Sequence, residues 1–85
     1  MQVITDVIDV LPDGTITKLI LKTKPMNVTI HREEPDQNFI IEKIDVVDQE
    51  RMKEAVETLA DHLREYCIYS IDVNCVDGTK ATLNI

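Results

Sequence analysis

The chain has 85 residues and a formal net charge of −7, with 44% hydrophobic and 29% charged residues. This length supports one small domain with a single core, and the composition argues against a disordered chain. No apolar run approaches the roughly 20 residues that span a bilayer, and the N-terminus lacks the basic start of a signal peptide. We therefore expect residues 1–85 to form one domain with no membrane segment.

The net charge is concentrated in the middle of the chain. Residues 33–65 contain eleven acidic and four basic side chains, whereas the other residues contain five of each. Direct nucleic-acid binding is disfavoured, because phosphate recognition depends on clustered Lys and Arg. A protein partner with a basic surface remains compatible with this charge.

Four strands are predicted in the first half of the chain, over residues 3–11, 15–23, 26–32 and 39–47. Pro12-Asp13-Gly14 predicts a turn between the first two, because proline presets φ and glycine accepts a positive φ. Lys24-Pro25 separates the second strand from the third. The polar stretch from Glu33 to Asn38 is expected to be the loop before the fourth.

A helix follows Asp48, which is a favourable N-cap residue. Apolar side chains then recur at helical spacing, which predicts an amphipathic helix whose apolar face packs on the sheet. These side chains are Met52, Val56, Leu59, Leu63 and Tyr66.

Two further strands are predicted over residues 68–76 and 79–85, around the hairpin signal Asp77-Gly78. The order β-β-β-β-α-β-β indicates an α+β fold: a mostly antiparallel sheet of about six strands with one helix on one face. The first four strands are expected to form a meander, and the place of the last hairpin is open. Several strands look apolar on both faces, so either the sheet curls or a second copy covers it, and we favour a homodimer.

The two cysteines, Cys67 and Cys75, lie too far apart along a predicted strand to form a disulfide. Two free thiols are typical of a reducing compartment, so a cytoplasmic location is expected. Cys75 shares the strand parity of Ile71 and Val73 and is expected to be buried in the core.

Acidic side chains form a line on the predicted helix, which we call the acidic stripe: Glu50, Glu54, Glu57, Asp61 and Glu65. Their spacing places all five within about 80° of the helix circumference. Such a stripe is either a solubilising surface or a docking surface for a basic partner. The acidic loop, formed by Glu33, Glu34 and Asp36, is either a plain hairpin loop or an extension of the same surface.

The sequence contains no recognisable catalytic constellation, phosphate loop or metal motif, so no enzyme activity, cofactor or metal is predicted. His31 beside Glu33 and Glu34 is the best candidate for acid–base or metal chemistry, against an interpretation as an exposed histidine. His62 with Glu65 has a spacing that metal ligands use, but His62 lies at the border of the apolar face.

Three functional hypotheses follow, in this order. The first is a cytoplasmic interaction module, an inhibitor or adaptor that docks a basic protein partner through the acidic stripe and the acidic loop. The second is a module that binds a small molecule at a dimer or sheet surface. The third is an enzyme that uses His31 with Glu33 or Glu34.

Overall fold

The computed structural model describes all 85 residues as a six-stranded sheet with one helix against it, measuring 38 × 31 × 19 Å. Each strand differs from its predicted range by no more than two residues at either end. No helix is long and apolar enough to cross a membrane. In chain order the elements are β1 (Ile4–Val10), β2 (Ile16–Lys22), β3 (Met26–His31), β4 (Phe39–Val46), α1 (Met52–Glu65), β5 (Ser70–Asn74) and β6 (Lys80–Asn84).

The spatial order of the strands is the same as their order in the chain, β1 to β6. All neighbours are antiparallel except β4 and β5, which run parallel where Phe39 pairs with Ile71. This exception follows from α1, because a parallel pair needs a crossover connection and α1 supplies it. The predicted α+β fold and the four-stranded meander are confirmed, and the last hairpin joins the sheet beside β4.

The turn after β1 and the turn after β5 have the same construction. Gly14 and Gly78 have φ values of 90° and 87°, and the carboxylates of Asp13 and Asp77 accept a hydrogen bond from the backbone N–H two residues later. This is the three-residue hairpin loop in which a type I turn is followed by a left-handed glycine. Hydrogen bonds from the following threonine hold the pKa of both carboxyl groups below the ordinary value for aspartate.

The predicted N-cap residue Asp48 caps a short turn before α1, whereas α1 itself starts after Arg51 without a side-chain cap. Asp48 accepts a hydrogen bond from the Glu50 N–H at 3.1 Å, but the first turn, Gln49–Arg51, is a 3-10 turn that precedes α1. At the other end, Ile68 N–H donates to Leu63 C=O and Cys67 N–H donates to Arg64 C=O. This pair of bonds is a Schellman motif, and it requires Cys67 to adopt a left-handed conformation with φ 61°.

The core lies between the sheet and α1. It contains ten buried apolar residues, three from the helix and seven from β2 to β5. The three helix residues are Ala55, Leu59 and Leu63. The predicted apolar face of the helix is therefore correct in direction, but Ala55 was missing from it, and Val56 and Tyr66 are about half exposed.

The sheet face turned away from α1 is mostly polar. Strand pairing and the alternation of side chains place three isoleucines among Lys, Asp, Glu, Asn, Thr, Ser and His residues on it, and Val10 opposite Ile16 next to the first turn. The isoleucines are Ile4, Ile20 and Ile40. A second copy packed on this open face would meet polar neighbours around each of them.

The expectation that Cys75 is buried is wrong, because both cysteines are exposed. The reason is that β5 ends at Asn74. Cys75 belongs to the turn, where its N–H donates to Thr79 C=O at 2.8 Å. The alternation of buried and exposed side chains holds only within a strand, and Cys75 lies just beyond the last residue of β5. Both cysteines are free thiols.

Candidate functional site

All five carboxylates of the acidic stripe are exposed. Glu50 lies in the 3-10 turn, so the helical part of the stripe runs from Glu54 to Glu65. At 1.5 Å per residue those four side chains extend over about 16 Å. Helical spacing keeps them on one side of α1, turned away from Leu59 and the core. The stripe is thus a continuous acidic surface on the outside of the molecule.

Few of the acidic groups are neutralised within the chain. Glu54 pairs with Arg51 at 3.4 Å, Asp61 pairs with Arg64, and Glu33 is within hydrogen-bond distance of His31. Exposed pairs of this kind contribute roughly 0–1 kcal/mol and are easily exchanged for another partner. The other five carboxylates of the stripe and the loop form no ion pair: Glu34, Asp36, Glu50, Glu57 and Glu65.

A hydrogen bond between His62 and Thr5 ties one flank of the helix to β1. The His62 Nε2 atom lies 2.7 Å from the Thr5 hydroxyl oxygen, and the His62 ring also meets the edge of Tyr66. This bond holds one flank of α1 above β1. Asp61 and Glu65 lie on the same flank, around a shallow hollow next to the first residues of the chain. His62 therefore has a structural contact, and no group of three or more His, Cys, Asp or Glu side chains in the chain is arranged to hold a metal ion.

The acidic loop is held in place by Arg32. Its guanidinium group donates to the carbonyl oxygens of Ile16 and Pro35 and lies 4.2 Å above the centre of the Phe39 ring. The loop lies at the end of the sheet where α1 also ends, since Gln37 and Asn38 share a hollow with residues 67–70. The loop and the C-terminal end of the stripe are therefore at the same end of the molecule.

His31 and Glu33 are brought together, as the third hypothesis requires. The Nε2 atom of His31 lies 3.2 Å from a carboxylate oxygen of Glu33, on the open face of the sheet. The Nδ1 atom of His31 is buried without a hydrogen-bond partner. Lys18 and Ile40 are its cross-strand neighbours, so no carboxylate or nucleophile from another strand lies directly opposite it.

A second surface feature lies on the other flank of the helix, between α1 and the sheet, and its lining includes residues of every strand from β2 to β6. It is an open groove of about 230 Å³ lined by thirteen residues, all hydrophobic. We call it the apolar groove. Three of its lining residues, Ile44, Val56 and Leu83, are about half exposed.

No protein-family model matches this chain, and no curated protein or solved structure is significantly similar to it.

The apolar groove bears on the small-molecule hypothesis. Ligand sites usually enclose about 300–1,000 Å³ and contain a few polar groups that orient the ligand. This groove is smaller, and it presents no polar side chain. Sequence reasoning did not find it, because Ile44 and Leu83 each look like ordinary core positions of a strand. The available signal was the count of strands, since one helix of 14 residues cannot cover six.

Proposed function

We propose that this protein is a small interaction module that docks a basic protein partner through the acidic stripe, with the acidic loop as a second contact. Its role would be that of an inhibitor or adaptor, without catalytic activity or cofactor. The observation that supports this proposal is the placement of charge. All of the net charge lies in residues 33–65, and the eight carboxylates of the stripe and the loop are exposed.

The chemistry of the partner follows from the spacing of these carboxylates. A row of acids over about 16 Å of rigid helix complements a row of Lys or Arg side chains of similar length. Such rows occur in grooves that bind nucleic-acid phosphates. A protein of this class is therefore the partner we propose, with the stripe occupying the place of the phosphates. The two free cysteines support a cytoplasmic location for this binding.

The proposal is tested by capturing partners from a cytoplasmic lysate with the variant Glu54→Lys, Glu57→Lys, Asp61→Lys. The wild type should retain a basic protein at low salt and lose it at moderate salt, because exposed charges are screened over about 10 Å at 0.1 M salt. The stripe variant should fail to retain that protein at either salt concentration.

A matched control changes the net charge by the same amount elsewhere: Asp9→Lys, Glu42→Lys, Asp45→Lys. These three acids are exposed and lie in β1 and β4. The control should retain the partner, with affinity reduced only by the change in overall charge. Equal loss in both variants would mean that net charge alone drives the capture, and the stripe would then have no specific role.

A further inference from the structure

The outer edge of β6 presents a row of unpaired backbone groups. Within the β5–β6 hairpin, Cys75 N–H donates to Thr79 C=O and Ile85 N–H donates to Tyr69 C=O. Hydrogen-bonded pairs alternate along an antiparallel ladder, so Ala81 and Leu83 also point their backbone groups towards β5. The N–H and C=O groups of Lys80, Thr82 and Asn84 therefore point outwards, away from the sheet.

The two edges of the sheet differ in how well they are protected. The pairing of β1 with β2 has register shifts on both sides of Asp9, and irregularities of this kind hinder the addition of another strand. The pairing of β6 with β5 is regular over all five residues. Lys80, at one end of β6, is the only charged side chain on that edge. An added strand would thus find β6 the better template.

The apolar groove lies directly beside this regular edge. Leu83 and Ile85 belong to its lining, and Leu83 is half exposed on the side of the sheet that faces α1. Any strand added to β6 would extend the uncovered apolar side of the sheet. It would also place its own side chains next to Leu83.

The accessible surface of this chain is larger than that expected of a compact monomer of its mass. Its accessible area is 5742 Å², whereas a compact monomer of 9.7 kDa is expected to expose about 5,100 Å². The excess of about 600 Å² is comparable to the roughly 800 Å² that each partner buries in an interface of standard size. Only 13 of 85 residues are buried, which agrees with an incompletely covered core.

We infer that β6 pairs antiparallel with β6 of a second copy, around a two-fold axis at Thr82. This register is self-complementary, because the outward groups of Thr82 meet those of Thr82 of the partner subunit. Lys80 then lies opposite Asn84 of the partner subunit, so no two lysines oppose each other. On the side facing α1, Leu83 packs against Ala81 of the partner subunit, and the two apolar grooves meet across the axis.

Charge also favours this arrangement. The acidic stripe lies on the side of α1 turned away from the core, its Asp61 and Glu65 line the hollow on the flank above β1, and none of its residues lines the apolar groove. Neither stripe therefore lies in the proposed interface. The sheet becomes continuous over twelve strands, and each dimer displays two stripes. This inference does not depend on the proposed function of the stripe.

The experiment compares Thr82→Pro with Thr82→Val by sedimentation equilibrium over a range of concentrations. Both variants lose the hydroxyl group that donates to Asp72, and both leave the backbone hydrogen bonds between β5 and β6 in place. Only proline also removes the outward N–H. The wild type and Thr82→Val should sediment at twice the chain mass of 9.7 kDa. Thr82→Pro should raise the dimer dissociation constant at least about tenfold, with circular dichroism unchanged.

A second variant tests the apolar side of the interface without changing the backbone. Leu83→Lys places a charge against Ala81 of the partner subunit and should also give a monomer. A wild type that remains monomeric at about 100 µM, or a dimer that survives in both Thr82→Pro and Leu83→Lys, would overturn the inference. A dimer lost only in Val56→Lys would overturn the β6 pairing, because the interface would then be the groove alone.

Discussion

Replacing Cys67 by glycine should stabilise the protein, because the Schellman motif forces this residue into the left-handed region at φ 61°. A left-handed conformation costs a residue with a side chain roughly 1–2 kcal/mol. Glycine avoids that cost, but its freer unfolded chain offsets roughly 0.5–1 kcal/mol of the gain. The expected net stabilisation is about 0.5–1 kcal/mol. For a domain of this size it corresponds to a rise in Tm of about 2–8 °C.

The assay is thermal unfolding at fixed protein concentration, and Cys67→Ala is the matched control. The side chain of Cys67 interacts with that of Tyr69 and raises the pKa of this tyrosine, and both variants lose the thiol. Alanine keeps the Cβ atom and hence the strain, so its Tm should stay near or below that of the wild type. A glycine variant no more stable than the alanine variant would refute the reasoning.

Three further predictions concern the core, one side-chain bond and the hairpin turns. Leu59→Ala should lower the free energy of unfolding by about 2–5 kcal/mol in urea titration, whereas Val56→Ala, at a half-exposed position, should lower it by much less. Thr5→Val should lower it by roughly 0.5–1.5 kcal/mol, because it breaks the bond between β1 and the histidine on α1. Asp13 and Asp77 have lowered pKa values in the folded state. Their stabilising contribution is therefore present above the unfolded-state pKa of about 3.9 and is lost as the pH falls through the lower folded-state values. In the double variant Asp13→Asn, Asp77→Asn these two positions no longer titrate. Between about pH 5 and pH 2.5 its free energy of unfolding should fall by less than that of the wild type in the same assay.

The strands and turns were predictable because local chemistry decides them. Asp13-Gly14 and Asp77-Gly78 each predict a hairpin from residues adjacent in sequence, and the observed turns are built from those same residues. The amphipathic helix was predictable from its spacing, whereas Asp48 caps the 3-10 turn that precedes it. These signals do not depend on the rest of the fold.

The position of the last hairpin was not predictable in the same way, because it depends on contacts between distant residues. The sequence offered the signal that a helix between two strands commonly forms a parallel crossover. The long antiparallel meander before it gave no reason to choose β4 as the neighbour of β5 over another edge. The pairing of Phe39 with Ile71 decides this, and both residues are in the core.

The candidate site was predictable in composition but not in surroundings. Carboxylates at helical spacing identify the stripe from the sequence alone. The sequence does not show that Glu65, the last residue of the stripe, lies at the same end of the molecule as the acidic loop. It also does not reveal the apolar groove on the opposite flank of α1. That groove is open because α1 is tied to β1 through His62 and Thr5 and leaves Leu83 of β6 half exposed.

The docking of a basic partner on the acidic stripe is tested most directly by mapping the contact on isotopically labelled protein. The partner retained in the lysate capture would be titrated in, and changes in amide chemical shift would be followed along the chain. The account predicts changes concentrated at residues 50–65 and in the loop at residues 33–36, weakening as salt is added. Changes confined to β6, the apolar groove or the open face of the sheet, and insensitive to salt, would contradict it.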